Sequence, residues 1–272
     1  MGFFTQLDTA IKKNNSLLCI GLDPDPVLMP QGIDILTFNK AIIDATAEMV
    51  CAYKPNLAFY EAMGQQGWDV LKQTINYIPQ NIPVIADAKR GDIGNTSKSY
   101  AKAIFEDLKA GAITVSPYLG FDSVEPFLNS YPGKSVFILC RTSNQGSSDF
   151  QSLSVKINGE EMPLYQAVAH KAAAWNTLNN IGLVVGATYP SEMRELRQMR
   201  PNMPFLVPGI GAQGGDIKLT IEAGLNASGE GVIINSSRQI LYASHGLDFA
   251  QAAASAANSL RQEINLYRQV PQ

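Results

Sequence analysis

Three charged residues in one short stretch are the strongest chemical signal in the sequence. Asp87, Lys89 and Asp92 follow the apolar residues Val84 and Ile85, which we interpret as part of a buried strand. Asp87 and Lys89 are two residues apart, so on a strand they project from the same face. Gathering two carboxylates and an ammonium at the end of a buried strand is costly, because each ion loses water. We therefore interpret this stretch as the centre of a functional site.

Short apolar runs recur along the chain and are separated by segments with helical periodicity, a pattern typical of repeated βα units. The eight predicted strands are residues 17–23, 49–54, 83–87, 112–116, 135–140, 182–187, 204–207 and 231–235. The predicted helices are residues 3–14, 35–46, 67–77, 97–108, 163–178, 191–199, 216–223 and 246–267. Eight strands, each followed by a helix, predict a (β/α)8 TIM barrel of the α/β class that forms a single domain over residues 1–272. A doubly wound open sheet uses the same units and is the structural alternative.

Charged or polar residues follow several of these strands. They are Asp23 after the first, Lys54 after the second, Arg141 and Ser143 after the fifth, and Arg238 after the eighth. In a barrel the carboxyl ends of the strands meet at one mouth, so we expect these side chains to converge there with Asp87 and Lys89. The longest polar insertion, residues 145–162, follows the fifth strand and is either a flap over the site or a solvated surface loop.

A glycine-rich segment, residues 208–215, follows the seventh strand, and Ser236, Ser237 and Arg238 follow the eighth. Barrels of this kind commonly bind phosphate at these two places, through backbone N–H groups. Residues 209–214 also match a dinucleotide-binding pattern, but that motif alone is weak. We therefore expect a phosphate monoester rather than a dinucleotide.

The composition excludes several other classes of protein. The net charge of −3 and pI near 5.5 give no basic field for nucleic-acid binding. No apolar run approaches the roughly 20 residues of a membrane helix, and the first residues do not resemble a secretory signal, so we expect a cytoplasmic protein. Cys19, Cys51 and Cys140 lie in apolar runs and are predicted to be buried thiols. The sequence has no metal-ligand spacing of the HxH, HExxH or CxxC type.

The motif Asp87-x-Lys-x-x-Asp92-Ile-Gly-Asn-Thr96 resembles the signature of orotidine 5'-phosphate decarboxylases. The resemblance extends along the chain in the order of the family, through Gly21-Leu-Asp23, Lys54-Pro-Asn56, Thr142-Ser143-Asn144, Pro208-Gly-Ile-Gly-Ala-Gln213 and Arg238. The form Asp-Ala-Lys-Arg-Gly-Asp, the chain length and the insertion after the fifth strand are similar to the longer bacterial subgroup of that family.

This resemblance implies a homodimer that converts orotidine 5'-monophosphate to UMP without a metal or organic cofactor. It implies that Lys89 protonates C6 of the pyrimidine and that Asp87 lies beside the carboxylate of the substrate. Lys54 would join this charged network, whereas Asp92 and Thr96 would reach the site of the partner subunit.

The resemblance also implies a set of binding residues. Asp23, with the lysine of the second strand, would bind the ribose hydroxyls, and Ser143 would read the edge of the pyrimidine. Gln213 and Arg238 would hold the phosphate. Relatives often have glycine directly before the final arginine, whereas here Ser237 stands there and would supply its N–H group.

Two alternatives keep the barrel and change the function. The first is a metal-dependent sugar-phosphate decarboxylase, which shares the Asp-x-Lys-x-x-Asp core; Ser143 and the segment around Gln213 argue against it. The second is a non-catalytic regulator that binds a nucleotide, which the intact Asp87, Lys89 and Asp92 disfavour.

Overall fold

A computed structural model describes residues 1–210 and 214–268 of the chain. All eight predicted strands are present, and a hairpin of two further strands lies in the insertion. In chain order the strands are β1 (Leu18–Leu22), β2 (Ala52–Pro55), β3 (Ile85–Arg90), β4 (Ala112–Val115), β5 (Ser135–Arg141), the hairpin strands β6 (Ser154–Ile157) and β7 (Glu160–Pro163), β8 (Ile181–Val185), β9 (Phe205–Val207) and β10 (Val232–Ser236).

The eight parallel strands form a nearly closed barrel in the order β2-β1-β10-β9-β8-β5-β4-β3. The ends of this order are joined by parallel bridges between Tyr53 and Val84 and between Asn56 and Asp87. A doubly wound sheet has two open edges, so this alternative is wrong and the predicted barrel is confirmed.

Helices surround the barrel. In chain order they are α1 (Phe3–Asn14), α2 (Ile35–Thr46), α3 (Leu57–Glu61), α4 (Gln65–Tyr77), α5 (Gly94–Lys102), α6 (Phe121–Asn129), α7 (Leu164–Trp175), α8 (Pro190–Met199), α9 (Ile217–Gly224), α10 (Arg238–Leu241) and α11 (Phe249–Tyr267). The eight predicted helices are all found, and α5 continues as a π-helical turn over Ala103–Asp107. Helices α3, α6 and α10 are not among the predicted eight, and α3 and α10, with five and four residues, are too short to show a helical period.

The barrel interior is filled by side chains from alternating strand positions. Phe137 on β5 lies opposite Gly182 on β8, where a side chain would collide with the Phe137 ring at 2.5 Å. Phe3 of α1 packs edge-to-face on the same ring with centroids 6.0 Å apart, so α1 covers the amino-terminal end of the barrel. The opposite end remains open to a cavity. The three cysteines are buried free thiols, as predicted.

The insertion after β5 has its own secondary structure. It contains a short 3-10 helix over Gln145–Asp149 and the antiparallel hairpin of β6 and β7. No secondary structure was predicted for these residues, and the choice between a flap and a surface loop is not decided by the hairpin. The dipeptide Asn158-Gly159, with positive φ angles of 51° and 92°, forms the hairpin turn and is a recognised sequence signal for one. No helix in the described part of the chain is long and apolar enough to span a membrane.

Candidate active site

The carboxyl ends of the barrel strands surround a cavity of about 560 Å³. Seven of the residues singled out in the sequence line it together: Asp23, Lys54, Asp87, Lys89, Ser143, Ser237 and Arg238. These residues come from β2 and β3 and from the segments that follow β1, β5 and β10, and the barrel brings them to one mouth as expected.

Two other candidates, Asp92 and Thr96, are not among the described residues that line this cavity. Asp92 and Thr96 lie beyond β3 at the start of α5, where Asp92 is half-buried and Thr96 is exposed. Within the described residues, the hydrogen bond to the Asp92 carboxylate comes from the adjacent Ile93 N–H at 2.8 Å. Gln213 lies outside the described residues.

A compact hydrogen-bonded network forms the base of the site. Asp87 accepts from Lys54 Nζ at 2.8 Å on one oxygen and from Lys89 Nζ at 2.7 Å on the other. Thr114 on β4 also donates to the second oxygen at 2.9 Å. The side chains of Lys54 and Asp87 are 5% and 10% exposed, whereas that of Lys89 is 51% exposed. The network thus contains one buried ion pair and a second ammonium that faces the cavity.

The backbone at Lys89 has an unusual conformation that places its side chain. The register between β3 and β4 shifts between Ala86 and Arg90, and Lys89 has a positive φ of 46°. Such a value is uncommon for a residue with a side chain and is often found at functional sites. The hydroxyl of Thr114 accepts from the Lys89 N–H at 3.0 Å and so supports this conformation. Lys89 and Asp87 do point to the same side, but through a bulge rather than through regular alternation.

The electrostatics of the network keep both buried partners ionised. Burial by itself would raise the pKa of Asp87, but the ammonium groups of Lys54 and then Lys89 outweigh it and hold that pKa well below its usual range. Burial by itself would lower the pKa of Lys54, but Asp87 and then Asp23 hold it well above its usual range. The site therefore holds a fixed carboxylate beside two cations.

Asp23 and Ser237 meet above Gly21. The Asp23 carboxylate accepts from the Asn56 N–H at 3.2 Å, and the Asp23 carbonyl accepts from the Tyr242 hydroxyl at 2.9 Å. A side chain at Gly21 would place its first carbon 1.9 Å from the Ser237 hydroxyl and 3.0 Å from the Asp23 carboxylate. Glycine at this position therefore leaves room for the Ser237 hydroxyl and the Asp23 carboxylate.

The predicted phosphate side of the cavity lies between β9 and α10. Arg238 is exposed and begins α10, directly after Ser237. The two ends of the glycine-rich segment are hydrogen-bonded to each other, since the Gly215 N–H donates to the Gly209 carbonyl at 3.1 Å. Residues 211–213, which include Gln213, are not described.

Arg141 does not join the charges at the mouth, and the prediction for it is wrong. The pairing of β5 with β8 shifts between Leu139 and Arg141, so the arginine turns away from the cavity that Leu139 lines. Its side chain is 1% exposed, pairs with Glu192 of α8 and lies 3.8 Å from the centre of the Tyr189 ring. Arg141 is a buried structural residue beneath the insertion.

Several residues of the cavity were missed in the sequence, among them Thr114, Asn235 and Gln151. Thr114 is a polar residue inside an apolar strand, a signal that could have identified it. Asn235 lines the cavity, and its buried Oδ1 has no hydrogen-bond partner in the described part of the chain. Gln151 of the insertion also lines the cavity, and nothing in the local sequence indicates this.

No group of three His, Cys, Asp or Glu side chains within the described ranges is arranged to hold a metal ion. The charged groups at the mouth are instead two lysines and an arginine alternating with aspartates. Such a surface suits an anionic substrate that carries more than one charged group.

Comparison with known proteins identifies the family. A model of the orotidine 5'-phosphate decarboxylase / HUMPS family matches residues 16–253. An orotidine 5'-phosphate decarboxylase of Dehalococcoides mccartyi is 58% identical over 98% of this chain and 99% of its own length. One of Ralstonia nicotianae is 53% identical over 98% of this chain and 100% of its own.

A solved structure gives the same result at the level of the fold. The OMP decarboxylase of Leishmania donovani superposes with a TM-score of 0.86 at 43% identity, covering 98% of this chain and 99% of that one. The family match spans every strand of the barrel, and the similar proteins are alike over nearly their whole length. The chain belongs to the orotidine 5'-phosphate decarboxylase / HUMPS family, among its orotidine 5'-phosphate decarboxylases.

Proposed function

We propose that this protein decarboxylates orotidine 5'-monophosphate to UMP in pyrimidine biosynthesis, with Lys89 as the proton donor and without a cofactor. The observation that carries the mechanism is the network in which Asp87 holds a buried Lys54 and a half-exposed Lys89. The full-length similarity to orotidine 5'-phosphate decarboxylases supports the reaction.

The reaction breaks the bond between C6 and the carboxylate carbon, and the electron pair of that bond stays on C6. A carbanion there is too basic to persist in water, so the site must stabilise the developing charge with a cation already in place. Lys89 Nζ faces the cavity and is held 2.7 Å from Asp87. In our proposal it supplies this charge and then transfers one proton to C6 as CO2 leaves.

Asp87 has two effects in this mechanism. Its hydrogen bond holds Lys89 Nζ at 2.7 Å, so that the proton donor is in place before the reaction. It also repels the substrate carboxylate, by about 4 kcal/mol at roughly 4 Å for an effective dielectric constant of about 20. This repulsion is relieved when the carboxylate leaves as neutral CO2. The low pKa of Asp87 supports the mechanism, because the repulsion requires an ionised carboxylate.

Groups remote from the reacting carbon bind the rest of the nucleotide. We assign the ribose hydroxyls to Asp23 and Lys54, which lie on neighbouring strands, and the pyrimidine edge to Ser143. We assign the phosphate to Arg238, the N–H of Ser237 and Gln213. Binding energy from the phosphate can hold the pyrimidine against the repulsion at Asp87.

The proposed enzyme is a homodimer in which each chain completes the site of its partner. Asp92 and Thr96 stand outside the cavity of their own chain on the segment after β3. Ile93 beside them is 53% exposed, and the segment after β4 adds Tyr118 at 84% and Leu119 at 47%. Exposed apolar groups on the segments after β3 and β4 are typical of a protein interface. These features support the assignment of Asp92 and Thr96 to the partner's site.

An ultraviolet assay of orotidine 5'-monophosphate turnover, with and without a chelator, tests the proposed function. We expect full activity in the presence of EDTA and UMP as the product. Loss of activity with the chelator, or turnover of a keto-gulonate phosphate instead, would favour the metal-dependent alternative. UMP binding without any change in absorbance of the substrate would favour the non-catalytic regulator. We also propose a cytoplasmic location, which cell fractionation would test.

A further inference from the structure

Gln151, in the insertion after β5, makes an unusual pair of contacts with Thr142. Its Oε1 accepts from the Thr142 backbone N–H at 2.9 Å, and its Nε2 donates to the Thr142 hydroxyl at 2.8 Å. Both residues line the cavity, and Thr142 directly precedes Ser143. The side chain of Gln151 therefore holds one end of the segment to which we assign recognition of the pyrimidine.

The direction of these hydrogen bonds is fixed by chemistry. A backbone N–H can act only as a donor, so the oxygen of the Gln151 amide must face it and the NH2 group must face the hydroxyl. The Thr142 hydroxyl, which accepts from Gln151, then donates to Asn144 Oδ1 at 2.6 Å. A glutamate at residue 151 cannot reproduce this pattern, because an ionised carboxylate has no proton to donate.

Arg141 anchors the part of the insertion that carries Gln151. Its guanidinium donates to the Ser147 hydroxyl at 2.6 Å and to Gln151 Oε1 at 3.4 Å, while its other side pairs with Glu192. The backbone of Gln151 is fixed as well, since its N–H donates to the Ser147 carbonyl at 2.9 Å. Because Arg141 is almost fully buried, these contacts form a rigid support rather than a mobile surface contact.

The other side of Ser143 is packed against the end of β8. A side chain at Gly186 would come within 2.7 to 2.9 Å of the backbone and first side-chain carbon of Ser143. The hydroxyl of Thr188 reaches the Ser143 carbonyl at 3.4 Å. Ser143 is thus confined between the β8 end and the residues that Gln151 holds.

We infer that Gln151 is a positioning residue that fixes Thr142, and through it Ser143, in the conformation that recognises the pyrimidine base. This inference rests on the proposed assignment of Ser143 to the base edge. The insertion would then contribute to substrate selectivity, because Gln151 supports Thr142 and Ser143. The buried Arg141 holds the insertion in place.

The experiment compares Gln151→Ala, Gln151→Glu and the control Lys156→Ala, which changes an exposed residue of the same insertion. For each protein we would measure kcat and KM for orotidine 5'-monophosphate, and inhibition by UMP, CMP and ribose 5-phosphate. UMP and CMP differ only at the base edge, and ribose 5-phosphate has no base. The three ligands therefore separate base recognition from binding of the sugar phosphate.

Both Gln151 variants should raise KM about tenfold and lower the preference for UMP over CMP about tenfold, as expected for lost hydrogen bonds. Inhibition by ribose 5-phosphate should stay within about twofold of the parent, which also shows that the barrel has folded. Lys156→Ala should match the parent in every measurement.

A second pair of variants tests the contact itself. Thr142→Val removes the hydroxyl and keeps the shape, and adding it to Gln151→Ala should cause little further loss, because both changes act through one contact. Additive losses would contradict the inference. An unchanged preference for UMP over CMP in Gln151→Ala, or equal weakening of UMP and ribose 5-phosphate, would also overturn it. A parent protein that binds UMP without decarboxylating the substrate would instead refute the proposed function, and the inhibition data would still test Gln151.

Discussion

Asp87 and Asp92 belong to one short segment, but they differ in the hydrogen-bond partners that their own chain gives to their carboxylates. Asp87, at the β3 end, is buried and has a hydrogen-bond or ion-pair partner at each oxygen. Asp92, five residues later, is half-buried, and the described hydrogen bond to its carboxylate comes from the adjacent Ile93 N–H. Within the described residues, the chain therefore gives both oxygens of Asp87 a charged partner, whereas it gives the Asp92 carboxylate only a backbone N–H.

The difference follows from the cost of burying charge. A buried carboxylate must be paired within the chain, or the chain would not fold with it ionised. A carboxylate exposed to water needs no partner, so it can be kept for a second molecule. In our proposal, Asp87 and Lys89 organise the reaction in their own chain, whereas Asp92 and Thr96 serve the site of the partner subunit.

The largest expected effect is at the half-exposed lysine of the network. Lys89→Ala should lower kcat by about 10⁴-fold or more, because it removes both the proton donor and the cation that stabilises the carbanion. The KM should change much less. Lys13→Ala in α1, an exposed lysine at the far end of the barrel, is the control and should leave kcat unchanged. A loss smaller than tenfold in Lys89→Ala would mean that another group donates the proton.

The second effect concerns stability and distinguishes the two aspartates. Asp87→Asn leaves Lys54 buried without its counter-charge, so it should lower the free energy of unfolding by about 3 kcal/mol at neutral pH. Asp92→Asn should change that free energy by less than about 0.5 kcal/mol. Chemical denaturation of both variants and the parent measures these values at one protein concentration.

The pH dependence of the same measurement follows from the lowered pKa of Asp87. The folded protein holds this pKa below the ordinary value of about 3.9, so the stability from the network is present above about pH 4 and is lost below it. The difference between parent and Asp87→Asn should therefore be constant from pH 5 to 7 and shrink in stronger acid. A difference that grows on acidification would contradict the charged network.

The smallest expected effect is at Asp92, the half-buried aspartate. Asp92→Asn should reduce kcat about 30-fold, since it removes one charge-assisted contact from the partner's site. Sedimentation should show the proposed dimer for both the parent and the variant, because the exposed Ile93, Tyr118 and Leu119 are unchanged. An unaltered kcat would place Asp92 outside the site.

Much of the fold and of the site could be predicted from the sequence. Buried parallel strands are apolar runs, and the charged residues that follow them stand out in the sequence. The runs located β1 to β5 and β8 to β10, and the residues that follow them line the mouth. Arg141 could not be placed in this way, because a single register shift turned it into the packing beneath the insertion. Gln151 was missed for a related reason, since its position depends on how the insertion folds back over β5.

The position of Lys89 shows what strand periodicity cannot predict, even next to a strand that was predicted. Strand periodicity places Lys89 on the side of Asp87, but its positive φ and the hydroxyl of Thr114 bring the ammonium to 2.7 Å. That conformation depends on a contact between two strands that are distant in sequence. Periodicity along one strand carries no information about it.

The most direct test of the shared site is to mix Lys89→Ala subunits with Asp92→Ala subunits, each of which has low activity alone, under conditions in which subunit exchange is demonstrated. If Asp92 serves the partner, each heterodimer contains one site with both residues intact. Random mixing of equal amounts should then restore about one quarter of the parental activity. If exchange occurs and no activity returns, Lys89 and Asp92 act within one chain and the division proposed here is wrong.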